Sequence, residues 1–136
     1  MTRPSLSAAA AQVKESLRTS GHGAAKTRVR LAIQALPIAA LASDDYARLV
    51  VVNAAALDLT GYSERELLRM AVPDLTAASD ENNTAVLWEA FLSQGQQSGT
   101  YDIRARDGRT ITVEYLAFAN AAPGIHVSLL QPASPR

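Results

Sequence analysis

His126 and Ser128 stand two residues apart in the run from Ile125 to Leu130. On a strand they share a face, and Asp102 or Glu114 is the acid that would complete a hydrolytic triad. The rest of the sequence does not support that chemistry. There is no nucleophile elbow, no glycine-rich phosphate loop and no His or carboxylate pair at metal-ligand spacing. No catalytic residue and no metal ligand is assigned, and the expectation is a protein that is not an enzyme. His22, between Gly21 and Gly23, reads as a solvated histidine. The absence of cysteine removes disulfides, thiolate nucleophiles and cysteine-held metals together. What remains with chemical content is a group of rings, the single tryptophan Trp88 with Phe91, Tyr101 and Tyr115, which either stack on a bound ring or fill a core.

The elements that must position these rings follow from periodicity. Thr84, Leu87, Trp88 and Phe91 keep the i, i+3, i+4, i+7 rule, predicting a helix from about Glu81 to Ser93 with Ser79-Asp80 as its N-cap and Gly95 as its stop. Gly99 to Arg106 alternates, with Tyr101, Ile103 and Ala105 on one face. Asp107-Gly108 is the preferred pair for a two-residue hairpin turn. The next strand puts Ile111, Val113, Tyr115 and Ala117 inside, while its other face changes from Thr112 and Glu114 to Leu116 and Phe118. Ala121 to Gly124 is a loop. In the last strand Ile125, Val127 and Leu129 take one side and His126, Ser128 and Leu130 the other, the latter read as outer.

Upstream, Ile38 to Ala42 and Arg48 to Val52 read as a strand pair joined by Ser43-Asp44-Asp45 turn chemistry. Asn53 is placed to cap a helix starting at Ala54, Gly61 to end it in the left-handed conformation, and Ser63 with Glu66 to form a capping box. Met70 to Leu75 reads as a connecting segment.

Residues 1–36 are a separate piece, two helical runs broken at 21–23. The first, from Pro4 to about Arg18, carries Leu6, Val13 and Leu17; the second carries Ala25, Val29, Ile33 and Leu36 before Pro37 forbids continuation. The piece holds six basic residues against the single Glu15, a net +5, and the remainder of the chain balances it to zero. A nucleic-acid arm is one use for such a segment, yet the charges are spread out and no aromatic lies among them. A solvated helix face is the preferred reading. The stripes are too narrow for a stable bundle, so they must dock. Leu116, Phe118 and Leu130 form an apolar outer patch that needs a cover, supplied by Val29, Ile33 and Leu36 of this chain or of a second copy. A chain that is 48% hydrophobic and 19% charged, with no run near the roughly 18 apolar residues of a membrane span and no secretory leader, is expected to be a cytoplasmic globular domain.

In this order the elements resemble a PAS domain from about Leu36 to Leu130. The likeness rests on Asn53, Ala54, Ala56, Gly61, Tyr62, Ser63, Glu66, Leu67 and Leu68, and on Asp107, Gly108, Arg109 and Ile111. It implies an α+β fold: a five-stranded antiparallel sheet with helices packed on one face, spanning 37–131, preceded by the helical extension 1–36 and followed by a tail at 132–136. It also implies a sensory or protein-interaction module of bacterial-type signal transduction. Its cavity would be walled by Leu59, Leu87, Trp88, Phe91, Tyr101, Ile103, Val113 and Tyr115, and it would signal through flanking helices, as a homodimer or toward an output partner. Adduct-forming flavin subtypes require a cysteine, and haem-binding members present a histidine from the long helix, where residues 81–93 have none. Non-covalent flavin stacked on Trp88 and Phe91, or haem on His126, are the cofactor alternatives; a small apolar metabolite or no ligand is the expectation. A DNA-associated regulator fragment using its basic arm is the alternative from a different class.

Overall fold

The β-branched run Leu49–Val52 and the small apolar run before it form the first strands of a sheet that the end of the chain completes. The computed structural model describes residues 5–20, 23–77 and 84–133. In order the elements are α1 (Leu6–Ser20), α2 (Ala25–Ile33), β1 (Ala39–Ser43), β2 (Leu49–Val52), α3 (Ala54–Thr60), α4 (Glu64–Leu67), α5 (Val72–Leu75), α6 (Thr84–Gln94), β3 (Gln96–Arg104), β4 (Thr110–Ala122) and β5 (Ile125–Pro132). The strands make one antiparallel sheet in the order β2-β1-β5-β4-β3. The last strand of the chain therefore lies in the middle, paired on both edges. His22, the expected cap at Ser79-Asp80, the expected helix start at Glu81 and the end of the tail lie outside the described residues, as does the side chain of Thr84.

Local chemistry explains the compact passage after β2. Asn53 accepts from the Ala56 N–H at 3.0 Å and opens α3. Gly61, with φ 80°, closes it in the left-handed conformation that a Cβ disfavours. The Ser63–Glu66 capping box forms in both directions, at 3.1 and 2.9 Å. What reads in sequence as a connector at Met70 to Leu75 contains a one-turn helix, α5. Pro73 fits its first turn, where no N–H is needed, and Asp74 accepts from the Ala71 N–H at 2.8 Å.

The sheet is buried on both faces along β1 and β5, while the edge strand β3 is largely exposed. On the inner face α3, α4 and α5 pack over Leu41, Val52, Ile103, Val113 and Leu130, with Ala56, Leu67 and Leu75 as the facing side chains. On the outer face α1 and α2 lay Val13, Leu17, Val29, Ile33 and the following Leu36 against Leu116, Phe118, Val127 and Leu129. The outer patch is thus covered by the chain's own helices, and each fully buried side chain of this kind contributes roughly 1.5–3 kcal/mol.

Three readings of the sequence are corrected. The faces of β5 are the reverse of those expected: Leu130 lies in the inner core and does not dock the helices, while Val127 and Leu129 do. The polar alternation of β5 misleads, because His126 and Ser128 face inward, onto Asp45 and the cavity, where polar residues would be expected to face outward. Cross-strand pairing fixes the orientation instead, with Phe118 opposite Val127 and Leu116 opposite Leu129. The β3–β4 hairpin closes through three residues, Arg106-Asp107-Gly108. Arg104 pairs with Thr110, Ala105 donates its N–H to the Arg109 carbonyl, and Gly108 alone takes a positive φ, 91°, a three-residue turn with glycine at the left-handed position. Finally, the two strands flanking that hairpin are longer than expected. β3 starts at Gln96, directly after Gly95 (φ 86°) stops α6, and β4 runs through Ala121-Ala122, leaving Pro123-Gly124 as the turn. The pairing is irregular between Phe118 and Ala122, where three residues of β4 lie opposite the single His126 of β5 and Asn120 adopts φ 53°.

Candidate ligand-binding site

Between α6 and the inner face of β3–β4 lies a cavity of about 310 Å³. Trp88 and Phe91 form its helical wall, with rings 5.5 Å apart and tilted. Tyr101 and Tyr115 form its sheet wall as an edge-to-face pair at 5.0 Å, the geometry aromatic rings favour. They meet diagonally because Tyr101 pairs with Val113 and Tyr115 with Gly99. Gly99 has no side chain to compete with the ring lying over it. Val72 and Ala117 add apolar surface, and Leu87 lines the mouth while remaining 48% exposed.

The polar part of the lining is neutral. Thr76, Gln97, Ser98, Thr100 and Ser128 contribute hydroxyl and amide groups. Among the described residues no carboxylate, ammonium, guanidinium or imidazole lines the cavity. Its ionisable groups are the two phenols, and burial raises the pKa of Tyr115 above the ordinary value, keeping that wall neutral. No cluster of three or more His, Cys, Asp or Glu that could hold a metal occurs among the described residues.

Of the residues proposed from sequence, Leu87, Trp88, Phe91, Tyr101 and Tyr115 are brought together here. Ile103 and Val113 lie on the same face, fully buried in the core beside the cavity, and Leu59 packs partly buried against that core; these three are not in the lining. Reading the sequence missed Thr76, Gln97 and Ser128. The signal for Ser128 was available, since a two-residue Pro-Gly turn forces the even-numbered positions of β5 inward.

His126 shares that inward face and stands behind the aromatic wall, 2% exposed. Its ring meets Trp88 and Phe91 edge-on at 5.7 and 5.8 Å. Nδ1 accepts the Asn120 N–H at 2.9 Å, which puts the ring proton on Nε2, where it is donated to Asp45 Oδ1 at 2.8 Å. The Trp88 indole N–H is 3.3 Å from the Asp45 carbonyl oxygen. The β1–β2 turn, α6 and the irregular part of β4 are thereby held by one histidine. Both its nitrogens are engaged outside any Ser–His–Asp arrangement, and Asp102 accepts from Thr112 at 2.6 Å.

A second tie connects α2 to the domain. Asn53, 4% exposed, also accepts from the Ala40 N–H at 2.9 Å and donates to the carbonyls of Ile33 and Ile38 at 3.0 and 2.9 Å. All four of its hydrogen-bonding positions are used, joining α2, β1 and α3.

The family model described as "PAS fold" matches residues 27–117. No curated protein sequence matches the chain. A domain of the sensory box sensor histidine kinase/response regulator from Geobacter sulfurreducens superposes with a TM-score of 0.66 at 20% identity, over 77% of this chain and 91% of that one. The PAS domain of a protein from Colwellia psychrerythraea gives 0.67 at 20%, over 78% and 94%. The PAS domain, in complex with ethanol, of a LuxR-family transcriptional regulator from Burkholderia thailandensis gives 0.64 at 15%, over 77% and 96%. At such identities the superpositions speak for the fold.

Proposed function

Because the chain belongs to the PAS fold family, the sensory modules of signal-transduction proteins, we propose that it acts by binding rather than catalysis, taking a small neutral molecule into the inner cavity. The observation that carries this reading is the lining itself, four aromatic rings and several hydroxyls with no charged group among the described residues. A charged ligand would lose its hydration and find no partner of opposite charge, a large cost in a partly enclosed site. The volume, about 310 Å³, is at the small end of the roughly 300–1,000 Å³ of ligand pockets. That suits a single ring with one or two polar groups better than haem or flavin. Ethanol, with which the Burkholderia domain is in complex, is of the same neutral class.

The signal proposed is a change in how α1 and α2 lie on the outer face, read by an output domain, a partner protein or a second copy. β4 and β5 support it, since each carries cavity residues and outer-core residues in alternation: Tyr115 and Ala117 against Leu116 and Phe118, Ser128 against Val127 and Leu129.

Trp88, the only tryptophan, reports the site directly. Its emission, titrated with benzyl alcohol, benzoate and benzylammonium, is expected to change saturably with the alcohol and hardly at all with the two ions. Equal response to all three, or preference for an ion, overturns the neutral-ligand reading.

A further inference from the structure

The basic residues of the N-terminal piece find no use in the inner cavity, and three of them converge elsewhere. A second cavity of about 440 Å³ opens between α1, the start of α2 and the junction of α6 with β3, lined by Lys14, Arg18 and Arg28. Leu17 and Phe118 give it an apolar floor, and Gly95 with the segment Ala119–Ala121 gives it a backbone rim.

Among the described residues no carboxylate lines this space. Arg18 pairs with Glu15 on α1. Lys14 reaches the neutral Gln96 Oε1 at 3.2 Å and stands 4.9 Å over the Phe118 ring. Arg28 donates to the Leu17 carbonyl at 2.8 Å, which fixes its head at the end of α1. Three cationic side chains and no carboxylate among the lining residues give a concavity of positive sign, and clefts lined by one sign of charge concentrate counter-ions of the other.

We propose that this second cavity binds a small organic anion through a phosphate or carboxylate group held by Lys14, Arg18 and Arg28. The volume, about 440 Å³, favours an organic anion over a bare inorganic one. The concave shape, with the cations around a depression instead of along a ridge, favours it over a nucleic-acid backbone. The site is separate from the inner cavity, yet it touches the end of α6, because the Ala119 N–H donates to the Gly95 carbonyl at 2.8 Å.

The test is an amide ¹H–¹⁵N titration of the full chain with phenyl phosphate, with inorganic phosphate and with sodium chloride at matched ionic strength. Phenyl phosphate is expected to give saturable shifts at Gly95, Gln96 and Ala119–Ala121, tighter than inorganic phosphate. Binding should weaken about tenfold or more in Lys14→Gln/Arg18→Gln, two exposed changes whose folding is checked by an otherwise unaltered spectrum. Shifts no larger than those from chloride, or undiminished binding in the double variant, overturn the proposal. So does displacement of phenyl phosphate by a short DNA duplex with shifts spread along α1 and α2. Benzyl alcohol binding at Trp88 is unaffected by any of these outcomes, so the two sites are judged independently.

Discussion

Asn53 illustrates how far one residue can be read from sequence. Its position after an apolar run marked it as a helix cap, and it is one, but three of its four hydrogen bonds go to Ala40, Ile33 and Ile38, partners that only the folded chain brings near. Asn53→Asp separates the two roles. The cap survives, since aspartate serves as well as asparagine at an N-cap, while two buried carbonyls lose their donor and face a carboxylate. A destabilisation of about 2–5 kcal/mol is expected, from buried groups left unpaired at roughly 1–3 kcal/mol each, measured by urea unfolding. An effect below about 1 kcal/mol would mean that the ties to α2 and β1 contribute little. Three carboxylates make a pH prediction. For Glu66 the Ser63 N–H, then Arg106, lowers the pKa; for Asp107 the Arg109 N–H and side chain do so. At Asp44 burial pulls upward, but hydrogen bonds from Arg48 and Tyr46 outweigh it and the net shift is downward. Each is a depressed acid, so its contribution is present above the ordinary carboxylate value near about 4 and is lost as pH falls through the lower folded value. The thermal midpoint should drop below about pH 4, and Glu66→Gln should make that drop shallower.

At the scale of elements, legibility followed local chemistry. Gly61, the capping box and the stop at Gly95 act within a few residues, and each stands where the sequence puts it. The hairpin at Asp107-Gly108 was legible as a turn but not in its length, because the choice between two and three loop residues depends on which residues close the pair. β5 was misread because its polar residues His126 and Ser128 face inward, and its register against β4 assigns Leu130 to the inner core and His126 to the back of the aromatic wall. Phe118 is 3% exposed between the sheet and α1, so Phe118→Asp places a carboxylate in an apolar contact. Peptides of α1 should then become susceptible to limited proteolysis while β3 stays protected. Full protection of α1 in the variant would show that packing at Phe118 does not hold the helix down.

For the molecule as a whole, the sequence pattern carried the architecture, and the family model agrees over residues 27–117. It carried less of the site. Cavity composition depends on side chains from α5, α6, β3, β4 and β5 meeting across the inner face. Gln97 was missed because β3 begins three residues earlier than expected, Ser128 because the faces of β5 were read reversed, and Thr76 because it follows α5 outside any periodic run. In the proposed function, occupation of the inner cavity is felt by the helices on the opposite face, through strands that carry both linings. Hydrogen–deuterium exchange, with and without benzyl alcohol at a concentration that saturates the Trp88 response, is the measurement that separates this from a local effect. Slower exchange in α6 and β3 together with altered exchange in α1 and α2 is expected. Protection confined to α6 and β3, with α1 and α2 exchanging as in the free protein, would contradict it.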